Sequence, residues 1–324
     1  MAMNSGWLGS PLKLSNYLKN FFRPALNRQA EYTFPLRGEG YVYDQPTSSN
    51  RAWRSAIEQV RPDFLFSLHN ADYGGVFYIL NESLPGLIET LTKQTMETRL
   101  TLNTQGEGFG EMRALAPGVF EMFNLHSLAE EALGANIEVS SVWPAGSSSM
   151  EYAERLCGTF GLIVETPYWD DARLHNDNPS EFTMADIADI FIEKTTDAIN
   201  FVGPFLSQFN EINSLEAREY KAALNECLEG GRTRIEKVTS FKNHPNASEV
   251  LSAGEYEAMK GFMKLAGLRP AAHLLRLAGI MGEKGDTARS QAEALIESGI
   301  EDFQHGAQTV SYTHLRAHET RHDL

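Results

Sequence analysis

The stretch RPDFLFSLHNADYGGVFYIL, residues 61–80, decides the fold. Asp63–Leu68 is a short apolar, aromatic run with Pro62 in front and polar residues behind. That is the pattern of a buried strand. His69 and Asn70 follow at once, which predicts an imidazole at the strand's end. Gly74-Gly75 then permit a tight turn or the close approach of backbone to a ligand. Ligand sites of open α/β sheets collect beyond the carboxyl ends of strands. His69 is therefore a candidate site residue, set against the plainer reading of a satisfied structural histidine.

A second stretch, GTFGLIVETPYW at residues 158–169, repeats the pattern. Its apolar run predicts another buried strand and delivers Glu165 directly behind four core-type residues. A carboxylate in such a place needs a cation, a metal or a hydrogen-bond donor. Desolvation also makes it tunable as a general base. The alternative is a glutamate that faces water at a strand terminus.

Together, SLHN-ADYGG-VFY and GTFGLIVETPYW resemble the second half of the catalytic domain of zinc carboxypeptidases, over roughly residues 4–210. The resemblance implies an α/β fold, a mixed sheet with flanking helices, carboxypeptidase-like but incomplete. It implies His69 as the last of three zinc ligands and Glu165 as the catalytic carboxylate. Residues 146–153, GSSSMEYA, resemble the family's substrate-side loop. Asn27-Arg28 resembles the pair that binds the substrate's terminal carboxylate, and the guanidinium fork suits that task. Glu31–Pro35 can occupy the same place with a shift of a few residues, and a surface arginine is the competing reading of Arg28. Where the family often presents a tyrosine hydroxyl to substrate, this chain has Trp143, which offers only an indole donor.

The family's first two zinc ligands form a His-x-x-Glu pair well upstream of the third. No histidine precedes His69, and none of the six histidines before residue 310 has Glu three positions later. Catalytic zinc takes three protein ligands and keeps an open position. The expectation is an amino-terminally truncated fragment that binds zinc poorly and does not turn over substrate. Other clusters carry less. Asp170, Asp171 and His175 read as a solvated loop rather than a metal site, and Ser147–Ser149 as helix-capping hydroxyls rather than nucleophiles. Gly106, Gly108 and Gly110 lack the residues of a phosphate loop.

The 324 residues, 42% hydrophobic and 22% charged, suffice for one large domain or for a domain plus an extension. Residues 1–211 read as the carboxypeptidase-like catalytic domain and 212–309 as an all-helical extension of three to five helices. Further helices are expected at 50–60, 84–102, 120–133 and from Ser180 to Val202, with Gly203-Pro204 interrupting the last. Residues 310–324 place His314, His318 and His322 four apart, yet VSYTHLRAHET resembles a translated sequencing adapter and is set aside. A net charge of −15 argues against nucleic acid or anionic membrane as a partner. No apolar run reaches the roughly 18 residues of a membrane span and no signal peptide is evident, so a cytoplasmic place is the default. Cys157 and Cys227 make neither a metal motif nor a disulfide framework. The resemblance thus implies a zinc-dependent hydrolase of the carboxypeptidase type, cleaving a C-terminal peptide amide. An N-acyl-amino-acid deacylase on the same scaffold and a non-catalytic binding protein with a degenerate site are the alternatives.

Overall fold

The computed structural model describes residues 13–309 except 108, 110, 111, 210, 213 and 304–306. The histidines of the tail lie outside the described residues. In chain order the elements are α1 (Leu14–Lys19), β1 (Leu36–Gly38), β2 (Tyr41–Tyr43), α2 (Ser48–Val60), β3 (Phe64–Tyr73), β4 (Phe77–Leu80) and α3 (Leu87–Thr98). There follow β5 (Ala114–Ala116), β6 (Val119–Glu121), α4 (Leu125–Gly134), α5 (Val139–Val142), α6 (Ser149–Cys157) and β7 (Phe160–Asp171). The remainder is β8 (Pro179–Thr183), α7 (Met184–Gln208), α8 (Leu215–Phe241), β9 (Val250–Ser252), α9 (Ala253–Ile280), α10 (Asp286–Gly299) and β10 (Ala307–Thr309). Single-turn helices punctuate the connections.

The architecture is mixed α/β with a helical carboxyl-terminal part. The main sheet runs β10–β7–β4–β6–β5, with β3 also on β7. β3 lies parallel to β7, whereas β4 pairs with the same residues of β7 antiparallel, so the two flank it. Side chains alternate across a strand. On one face of β7, Leu162 and Val164 join Tyr78, Leu80 and Val119 in a core closed by Leu87, Ile88 and Leu91 of α3. On the other face Leu65 meets Phe34, Ile57 and Ala153, which brings in α2 and α6.

Two strand expectations change. β3 continues through His69 to Tyr73, because β7 pairs with it out to Trp169, so His69 stands within the strand and not at its end. The run is also not fully buried: Phe64, Phe66 and Leu68 are 52, 53 and 51% exposed. Among the described residues β3 is an edge strand, and the cover that α3 gives β4, β6 and β7 does not extend over this row.

Helices 50–60 and 84–102 appear as α2 and α3. The segment expected as one helix from 120 begins instead as strand β6, because Tyr78–Leu80 of β4 pairs with it in parallel. Tertiary pairing overrides local propensity there. α7 passes straight through Pro204 to Gln208. A proline costs a helix one N–H bond and a steric clash, and burial of Val202 and Leu206 against α8 and α9 offsets that cost. The helical part is α8, α9 and α10, and it shares a core with the sheet. Tyr17, Tyr73 and Trp169 pack with Leu265, Leu268, Leu275 and Ile296.

Gly74 and Gly75 both hold positive φ, +111° and +104°. A Cβ at Gly75 would lie 2.5 Å from the Thr101 carbonyl oxygen, which accepts the Val76 N–H at 2.8 Å. Gly75→Ala is expected to cost about 2–4 kcal/mol, the sum of left-handed strain and overpacking. A urea midpoint equal to that of the wild type would refute it.

Candidate functional site

The parallel register of β3 and β7 pairs His69 with Glu165. Both side chains lie on the face away from α3, and His69 Nδ1 is 3.0 Å from Glu165 Oε1. Glu165 is largely buried, at 14% exposure, and His69 is half-buried at 35%. The hydrogen bond to Glu165 raises the pKa of His69, against the opposing effect of burial. The pair is bonded through Oε1, and among the described residues Oε2 is left for another donor.

The single-turn segments before β1 dock on the start of α6 and on Trp143. Glu31 accepts hydrogen bonds from the Ser149 N–H and hydroxyl, both at 2.9 Å, at the start of α6. Burial raises its pKa, and its charge in turn acts on His69. Tyr32 is adjacent, its pKa raised by burial, with Arg23, Glu31, Glu165 and Glu107 all acting on it. The edge of Trp143 meets the Tyr32 ring at a centroid distance of 5.5 Å. The Trp143 indole N–H donates to the Gly146 carbonyl at 2.8 Å, so its one donor is spent on the backbone.

Glu107 completes the acidic side. Burial, then the charge of Glu165, pushes its pKa up to about 7. Its loop is held by Asn103, whose Oδ1 accepts the N–H groups of Gln105 and Gly106 at 3.1 and 2.9 Å. Beyond His69 on β3, Asp72 accepts from Tyr17 at 2.5 Å and from Arg269 of α9 at 2.7 Å. Buried polar groups of this kind persist only when paired.

The structure thus brings His69 and Glu165 together, while Trp143 packs on Tyr32. Asn27 and Arg28 lie exposed on the single turn Leu26–Arg28, and Arg28 Nη1 is 3.5 Å from Glu219 of α8. The serine run caps a helix as expected, whereas Asp170 and Asp171, expected in a solvated loop, end strand β7, with Asp171 buried. Ser148 caps α6 through the Glu151 N–H, and Ser147 and His126 both bond the buried Glu151 carboxylate. His175 reaches Asp170 at 3.1 Å while Asp171 is held by Arg173. Among the described residues no group of three His, Cys, Asp or Glu is placed to hold a metal. His69 by itself therefore does not fit a three-ligand zinc centre.

Sequence reasoning passed over Arg23, Tyr32, Glu107 and the Asp72–Arg269 pair. A signal existed for one of them, since Glu31–Pro35 already competed with Asn27-Arg28 for the same place. Among the described residues no helix is long and apolar enough to cross a membrane. No family model, no curated protein and no solved structure matches the chain.

Proposed function

We propose that this chain carries part of the site of a metallocarboxypeptidase-like hydrolase that cleaves a C-terminal peptide amide. The observation that supports the reading best is the His69–Glu165 pair, an imidazole and a largely buried carboxylate 3.0 Å apart on adjacent parallel strands. Glu165 takes a proton from water through Oε2, the water oxygen adds to the amide carbonyl carbon, and the C–N bond then breaks as that proton passes to the leaving amine. A zinc of the kind the family resemblance implies would polarise the amide carbonyl and would need two protein ligands besides His69, which the described residues do not offer.

The test compares peptides that carry a free C-terminus with N-acyl amino acids as substrates. It is run on this chain and on a longer reading frame that contains it. Release of the C-terminal residue by the longer form is expected, with Glu165→Gln lowering kcat by about 10²–10⁴-fold, the usual worth of a general base. Hydrolysis that survives Glu165→Gln, or no C-terminal hydrolysis by either form, would overturn the reading. Turnover of N-acyl amino acids alone would give the deacylase instead. One observation favours the binding-protein alternative, the lack of a three-group metal set among the described residues. Neither form would then hydrolyse any member of the panel.

A further inference from the structure

The free edge of β3 is apolar and complementary to itself. Among the described residues β3 pairs with β7 alone, which leaves its other side without a strand. From Phe64 to Leu68 the strand carries no lysine, arginine, aspartate, glutamate or proline. Those are the residues that usually blunt a sheet edge against other chains. The Phe160 N–H donates to the Asp63 carbonyl at 2.9 Å, so Asp63 turns that group towards β7. Successive residues of a strand turn their N–H and C=O to opposite sides. Phe64, Phe66 and Leu68 therefore present both groups to the open edge, and their half-exposed side chains form a row beside it. The rings of Phe64 and Phe66 are stacked with centroids 6.5 Å apart, and Phe64 stacks on Phe160 at 5.8 Å.

We infer that β3 pairs antiparallel with β3 of a second copy of this chain, about a two-fold axis at Phe66. A two-fold contact needs a patch that matches itself. With the axis there, Phe66 faces the partner's Phe66 and Phe64 faces the partner's Leu68, each pair exchanging two N–H···O bonds. The apolar side chains of both copies then make one continuous row on one face of the joined sheet. On the other face the same register sets Asp63 opposite the partner's His69. Asp63 is exposed, and its hydrogen bond to Glu165 raises the pKa of His69, so the two carry opposite charge. Moving the axis to Leu65 or Ser67 would instead set Leu68 against Pro62 or Phe64 against Asn70. The pairing depends on no catalytic property of the chain.

The area sets the expected strength. At about 100 Å² for each half-exposed side chain, the row removes roughly 600 Å² over both copies, under the roughly 1,200 Å² of a standard interface. The dimer is therefore weak, and sedimentation equilibrium is expected to show monomer passing to dimer with a Kd of about 10–100 µM. Phe66→Lys sets two like charges against each other at the axis. It is expected to weaken the dimer at least about tenfold while melting close to the wild type, because the side chain is half-exposed.

Phe66→Cys tests the register separately. Residues paired in this way have Cα atoms about 5.5 Å apart, within the span of a disulfide. Mild oxidation is expected to cross-link this variant as a dimer faster than Val42→Cys, an exposed site on β2, and faster than the wild type with Cys157 and Cys227. Monomer alone up to about 200 µM, a dimer that Phe66→Lys leaves intact, or equal cross-linking of Val42→Cys and Phe66→Cys would each overturn the proposal. A monomer whose β3 amides resist hydrogen exchange would overturn it too, and would show that another segment of the chain covers the edge.

Discussion

Arg269→Met is expected to destabilise the fold by about 3–5 kcal/mol, the largest effect of any single substitution considered. The guanidinium bonds Asp72 Oδ2 at 2.7 Å and lies over the rings of Phe21 and Phe262. Asp72 is 3% exposed, so removing the cation leaves a buried carboxylate with Tyr17 as its remaining hydrogen-bond donor. An uncompensated buried charge costs far more than the pair contributes. Adding Asp72→Asn should therefore recover most of the loss, because the amide carries no charge to strand. Urea unfolding of the two single variants and the double variant measures this directly. Additive losses would show that Asp72 does not depend on Arg269.

His273→Gln is expected to flatten the acid limb of the stability curve. Burial, with the charges of Arg269 and Arg276 against it, lowers the pKa of His273 to about 3, while its Nε2 accepts the Arg23 N–H at 3.0 Å. The folded value lies below the ordinary histidine value, so the unfolded chain binds a proton that the folded chain refuses. The stabilisation is complete above about pH 6.5 and drains away as pH falls towards 3, at up to about 1.4 kcal/mol per pH unit. Glutamine does not titrate, and its side-chain oxygen can still accept from Arg23. The variant should lose about one proton of pH dependence between pH 6 and 4. Parallel stability curves for variant and wild type would sink the idea.

The strands that carry His69 and Glu165 are legible because each is a run of apolar residues closed by a polar one. Their pairing is a tertiary fact, and so is the edge position of β3, which exposes a row that looks buried in one dimension. Local pattern also cannot show that Val119–Glu121 would be claimed as a strand by β4. Trp143 is legible as an aromatic near the site, but its donor is consumed by Gly146, a bond that depends on the turn. Arg23, Glu107 and Arg269 come from three distant segments, and nothing in the local sequence around any of them marks a shared destination. Arg28 stands out through the resemblance of Asn27-Arg28 to a carboxylate-binding pair, and its surroundings are not local either. Its short side chain distance to Glu219 depends on where α8 packs.

The open edge of β3 has a consequence for how this polypeptide behaves while it is being made. Phe64, Phe66 and Leu68 leave the ribosome nearly a hundred residues ahead of β7, the strand that will pair with them. Even after pairing, one long side of the strand pairs with no other strand among the described residues and lies beside an apolar stripe, which is a template for other nascent chains. Holdase chaperones shield that exposure, and low temperature weakens the apolar association it invites. Yield in a host should therefore follow chaperone supply more closely than it follows the stability of the finished fold.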